Sequence, residues 1–84
     1  MAFLQIVWDL EGDSNGNVQH IRRHRLTREE IEDVLSNPDG EEFSHFSNQP
    51  IAFGHTRHGE LIAVVFEQID EDTVYPITAF RVED

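Results

Sequence analysis

The stretch Leu26-Thr27-Arg28-Glu29-Glu30-Ile31-Glu32-Asp33-Val34-Leu35-Ser36-Asn37-Pro38 is a helix with both of its ends written into the sequence. Thr27 and Glu30 have the spacing of a capping box, in which each side chain accepts a hydrogen bond from the other residue's backbone N–H. Leu26 before the cap and Ile31 at the fourth helical position make the matching hydrophobic staple. Ile31, Val34 and Leu35 recur at i, i+3 and i+4 and form one apolar stripe for a core. Glu29 and Glu30 lie at the positive end of the helix dipole. Asn37-Pro38-Asp39-Gly40 ends the helix, because Pro38 cannot continue it and disfavours the α conformation at Asn37.

Working outward toward the N-terminus, Val18 and Ile21 form the apolar pair of a first helix capped by Asp13 or Ser14 and running to about His24. Gly16 weakens the start of that helix. Ahead of it, Phe3-Leu4-Gln5-Ile6-Val7-Trp8 reads as a strand rich in β-branched and aromatic residues, and Asp9 to Gly12 as a polar break. Toward the C-terminus, Phe43-Ser44-His45-Phe46-Ser47 alternates weakly as a strand. Ile51 to Thr56 and Leu61 to Phe66 flank the turn Arg57-His58-Gly59-Glu60, with Gly59 available for positive φ. Leu61 to Phe66 is apolar on both faces, as in a central strand. Asp70-Glu71-Asp72 is the next turn and Thr73 to Val82 the last strand, where Pro76 belongs near a strand start or an edge. The predicted order is β-α-α-β-β-β-β. It is an α+β fold with two N-terminal helices packed on one mainly antiparallel sheet of four to five strands, in a single domain over 1–84.

Eighty-four residues can bury only roughly 60–65% of the unfolded surface. The absence of Cys excludes disulfides and thiolate metal sites. The N-terminus lacks the basic flank and apolar run of a signal peptide, and Leu61 to Phe66 is far too short to cross a bilayer. The expected setting is therefore cytoplasmic, with no membrane partner.

Charge is distributed unevenly. His20 to Arg28 hold four of the six arginines and two of the five histidines, while residues 29–84 carry two Arg against fourteen Asp and Glu, for a net charge of −11. Lysine is absent, so every fixed cation is a guanidinium, suited to bidentate phosphate or carboxylate recognition. The acidic balance argues against a broad nucleic-acid footprint, and no DNA contact is expected of the chain on its own. The basic island is the place to look for an anion-binding or catalytic surface.

His20 and His24 share a helix face. With arginine neighbours, one of the two has the minimum chemistry for metal-independent RNA cleavage: a general acid/base beside phosphate-stabilising cations. The plainer alternative is a solvated face with histidine at a helix end, where positive charge is favourable. A helical His pair needs a further ligand to hold zinc; His55 and His58 are the remote candidates, and no metal is assigned. Trp8 and Tyr75 could each stack on a base, although Trp8 also fits a core position with its N–H bonded. Arg81 could face the island or pair with a carboxylate. The acidic turn lacks a calcium loop's spacing, and the chain has no phosphate loop and no dinucleotide fingerprint.

Trp8-Asp9, Asn17 to Arg25 leading into Leu26 to Glu30, and Val34-Leu35-Ser36-Asn37-Pro38 together resemble the BrnT family of bacterial type II toxins. Arg23-His24 corresponds to that family's Lys-His pair, Gly59 to its hairpin Gly, Val64-Val65 to its central strand and Ile77-Thr78-Ala79 to an Ile-Ser-Ala run. The resemblance covers residues 6–82 through short motifs in a shared order. It implies a RelE-like fold, ribonuclease activity on RNA without a cofactor, and a cognate DNA-binding antitoxin as partner. His24, Arg23 and Arg81 would then be the catalytic set, and Arg22, Arg25, Trp8 and Tyr75 the substrate contacts. The sequence departs from the family pattern where Glu60 replaces the Arg after the hairpin Gly, where Phe80 replaces the Arg after Ile-Ser-Ala, and where Arg25 replaces the Gly after His. Lost cations at phosphate positions weaken transition-state stabilisation, each donor being worth about 3–4 kcal/mol. The same departures, with the acidic charge, point to a second expectation: a non-catalytic acidic protein-interaction module on the same scaffold.

Overall fold

A computed structural model describes residues 5–43 and 49–82. The elements are β1 (Gln5–Ile6), α1 (Asn17–Arg23), α2 (Arg28–Ser36), β2 (Gly40–Phe43), β3 (Pro50–His55), β4 (Leu61–Gln68) and β5 (Thr73–Arg81). They build a five-stranded sheet in the order β1-β5-β4-β3-β2. Its pairs are antiparallel except β1 with β5, which is parallel. The class is α+β, with the elements in the predicted order. The apolar run of β4 lies at the centre of the sheet, between β5 and β3, with Ile62, Val64 and Phe66 turned into the core.

Both helices cover one face, α1 over β5 and α2 over β3 and β4. Ile21, Leu26, Ile31, Val34 and Leu35 from the helical layer meet Ala52, Ile62, Val64, Phe66, Val74 and Ala79 from the sheet, with Ile6 and Trp8 packed at the margin. Each large aliphatic chain fully removed from water contributes about 1.5–3 kcal/mol. The α2 cap forms as read: the Glu30 N–H donates to Thr27 Oγ1 at 3.3 Å and the Thr27 N–H to Glu30 Oε1 at 3.0 Å.

Three boundaries differ from the sequence expectation. Helix α1 starts at Asn17 behind Gly16, with no side-chain cap from Asp13 or Ser14. Asp13 instead accepts the Asn15 N–H at 3.0 Å and holds a turn, while the first helical N–H of Asn17 goes to Asp9 Oδ2 at 2.9 Å. A nonlocal carboxylate has displaced the local cap, and local spacing carries no signal of it. Gly16 is a requirement here rather than a weakness, because a Cβ there would lie 2.7 Å from the Asp9 Cβ. The first strand is two residues long, Gln5–Ile6, with the Val7 N–H adding one further bond to the Val74 carbonyl; Phe3 and Leu4 lie outside the described residues. The second strand comes earlier than expected: Gly40–Phe43 pairs with Phe53 to Pro50, and Ser44 to Ser47 lie outside the described residues.

The β3–β4 hairpin closes through Thr56, whose carbonyl accepts the Gly59 N–H and whose N–H donates to the Glu60 carbonyl. Gly59 takes φ 84°, a conformation that disfavours any residue with a Cβ. Pro76 sits at a bulge. Val65 faces Thr78 and Phe66 faces Pro76, so Ile77 is the extra residue that lets the ladder tolerate a missing donor.

Candidate functional site

Helix α1 ends in a Schellman motif: the Leu26 N–H donates to the Ile21 carbonyl at 3.0 Å and the Arg25 N–H to the Arg22 carbonyl at 2.9 Å. This needs a left-handed residue after the cap His24, and Arg25 supplies it at φ 61°. The turn throws Arg22, Arg23, His24 and Arg25 to the surface, all exposed. The basic island therefore exists as a surface feature at the junction of the two helices. The His20 and His24 rings stack with centroids 6.0 Å apart. Among the described residues, no three His, Asp or Glu side chains gather as a metal site. His55 is engaged elsewhere, its Nδ1 lying 2.6 Å from Asp39 Oδ2.

The cations of the island meet the chain's own acceptors. Arg22 and Arg28 converge on one oxygen of Glu11, each at 3.3 Å, and both line a cleft of about 180 Å³ with Val18, Ile21 and Leu26. Arg23 donates to the Ser14 carbonyl at 2.9 Å. These are exposed contacts of the kind worth only about 0–1 kcal/mol, so they break easily.

Arg81 is held differently. Its Nε donates to Glu60 Oε2 at 2.6 Å, and its two terminal nitrogens donate to the His24 and Arg25 carbonyls, each at 3.0 Å. Glu30 Oε2 lies 3.9 Å away. One planar guanidinium thus ties the last strand to the end of α1 and satisfies carbonyls that a helix C-terminus leaves orphaned. The bond to Glu60 raises the Arg81 pKa further above its ordinary value.

Trp8 and Tyr75 lie apart from this cluster. The Trp8 indole N–H donates to Glu32 Oε2 at 3.3 Å, and the ring packs against the core margin. The Tyr75 hydroxyl donates to Asp9 Oδ2. That bond, with burial and nearby carboxylates, pushes the Tyr75 phenol up to about 12 and holds Asp9 below the usual carboxylate value. Asp9 and Asn17 complete the arrangement. The Asp9 N–H donates to Asn17 Oδ1, and Asn17 Nδ2 donates to the carbonyls of Val7 and Pro76, all at 2.9 Å. Asn17 is 2% exposed, so its amide is a buried clamp joining β1, α1 and β5.

Of the residues singled out from sequence, His24, Arg25 and Arg81 come together, but His24 and Arg25 meet Arg81 through their backbone carbonyls. Arg22 and Arg23 flank them on α1. Two features escaped the sequence reading. The Asp9–Asn17 clamp spans eight positions and has no periodic signature; the only hint is a Trp-Asp step at a strand end. The second is a bidentate pair, with Arg57 Nε at 3.1 Å and its terminal nitrogen at 2.8 Å from the two oxygens of Asp33. It walls a cleft of about 300 Å³ whose other members include Thr27, Glu29, Glu30 and His58. Arg57 holds the Asp33 carboxyl below its ordinary value.

Among the described residues no helix is long and apolar enough to cross a membrane. Compared with known protein families, curated proteins and solved structures, the chain matches none.

Proposed function

We propose that this chain is a non-catalytic protein-binding module on a scaffold like that of the BrnT toxins, which its motif order resembles. One observation carries the proposal: Arg81, the cation a BrnT-like catalytic set would need from the sheet, has all three guanidinium nitrogens bonded to Glu60 and to the His24 and Arg25 carbonyls after α1. A group that holds the fold together cannot also follow charge onto a phosphate as it develops. Two of the three departures from the family pattern are also coupled. The carboxylate at Glu60 and the arginine moved to position 81 form one ion pair. Tyr75 and Trp8, the expected base contacts, are likewise bonded to Asp9 and Glu32. A protein of net charge −11 repels RNA and favours a basic protein partner.

Expression in a bacterium tests the proposal. Growth continues and RNA stays intact at high expression, while affinity capture recovers a protein partner whose retention weakens with salt. Growth arrest with cleaved RNA, abolished by His24→Ala, would overturn it. That outcome would establish the second reading, a BrnT-like metal-independent ribonuclease with a cognate antitoxin. The second reading draws on the exposed His24 and its neighbours Arg22, Arg23 and Arg25 on one turn.

A further inference from the structure

Among the described residues, the helices cover one of the sheet's two faces. Gly54 marks the covered side, where a Cβ would lie 3.2 Å from a Val34 methyl. Strand alternation then puts the neighbours of the core residues Ala52, Ile62, Val64 and Ala79 on the opposite face. The register sets two rows across β3, β4 and β5 there: Phe53, Ala63, Phe80 and Ile51, Val65, Thr78. An antiparallel sheet that turns one face to water alternates apolar with polar residues. Here Thr78 is the only polar side chain in the two rows. Phe80 is 41% exposed, Phe53, Ile51, Val65 and Thr78 are half-buried, and Ala63 between the two phenylalanines is fully buried. An apolar face of this kind on a small domain marks an interaction site.

Charge specifies the occupant. All six arginines belong to the helical side: four on α1, α2 and their turn, Arg57 bonded to Asp33 of α2, and Arg81 bonded to the end of α1. Glu67 continues the β4 alternation onto the helix-free face, and Asp70, Glu71 and Asp72 are exposed at the turn that bounds it. From residue 37 to 82 the chain has eight carboxylates against two arginines, both paired with carboxylates. A second copy would bring like charge to like charge. A cationic amphipathic helix would lay apolar side chains on the two rows and lysines or arginines against the acidic border.

We propose that the helix-free face of the sheet is a docking site for a cationic amphipathic helix of a partner protein, supplying the missing second layer. The inference rests on the binding-module reading and assigns its face. The probe is a fluorescein-labelled amphipathic Leu/Lys helical peptide, with a scrambled peptide of equal composition as control, read by anisotropy against the whole chain. The amphipathic peptide binds and the scrambled one does not. Phe80→Asp weakens binding roughly tenfold, as for an apolar anchor. Glu67→Lys, at an exposed site that leaves the core intact, weakens it about threefold at low salt. Equal binding of both peptides, or binding indifferent to both substitutions, overturns the proposal. So does sedimentation showing a dimer that Phe80→Asp dissolves, which would make the occupant a second copy. A captured partner whose binding is lost on Arg22→Glu but kept in Phe80→Asp overturns this face while leaving the binding-module reading standing.

Discussion

Asn17 shows how one buried amide can decide a local structure. Its side chain accepts from the Asp9 N–H and donates to the Val7 and Pro76 carbonyls, so three backbone groups on two segments lose a partner if it is removed. Asn17→Ala is expected to cost about 3 kcal/mol, the sum of modest net bonds and the penalty of stranded buried groups. Urea denaturation measures this directly, and a loss below about 1 kcal/mol would show that water replaces the amide. Asn17→Asp should cost at least as much, because a carboxylate oxygen would then face two carbonyls in place of a donor. Neither effect could be read from the sequence, where Asn17 is one polar residue in a polar run.

The ends of helix α1 tell opposite stories at the scale of an element. Its C-terminal turn is closed by Arg25 in the left-handed region at φ 61°, where a residue with a Cβ is disfavoured by about 1–2 kcal/mol. Arg25→Gly is expected to stabilise the fold by about 0.5–1 kcal/mol after the extra entropy of unfolded glycine is subtracted. Arg25→Ala is the control, since it removes the charge and keeps the strain; equal melting temperatures for the Gly and Ala variants would refute the account. At the N-terminus the sequence suggested a local cap, and the helix instead takes its cap from Asp9. Helix α2 was legible throughout, because capping box, staple and stripe all lie within one stretch. Helix α1 was legible only in its apolar pair, since its two ends are completed by Asp9 and Arg81, remote in sequence. The same division applies to the site: the island could be located from charge alone, but not the acceptors that occupy it.

For the whole molecule, pH acts through two opposed effects. Asp9, Asp33 and Asp70 have folded pKa values below the ordinary 3.8, held there by the Tyr75 hydroxyl, the Arg57 guanidinium and the Asp72 N–H respectively. Their contribution is present above that value and is lost as pH falls through the folded ones. Self-repulsion of the net charge of −11 runs the other way and relaxes as pH falls toward the isoelectric point near 4.6. Thermal melting should therefore show maximal stability at about pH 5, with added salt stabilising at pH 7 and little at pH 5. Tyr75 adds an alkaline limit. Its folded pKa of about 12 exceeds the ordinary 10.0, so its contribution is complete below 10.0 and is lost as pH rises toward 12. As the only tyrosine, it reports this directly in phenolate absorbance. By itself the sequence determined the α+β class, the order of elements, the central apolar strand, the α2 helix with its caps and the basic island, because each depends on neighbours or on a period. Only the tertiary structure decided that Arg81 serves the fold, that Asp9 and Asn17 clamp three elements, and that two apolar rows line up on one face of the sheet while every arginine gathers on the other side. Those features depend on which remote residues meet across the sheet, and pairing at long range leaves no local pattern to read.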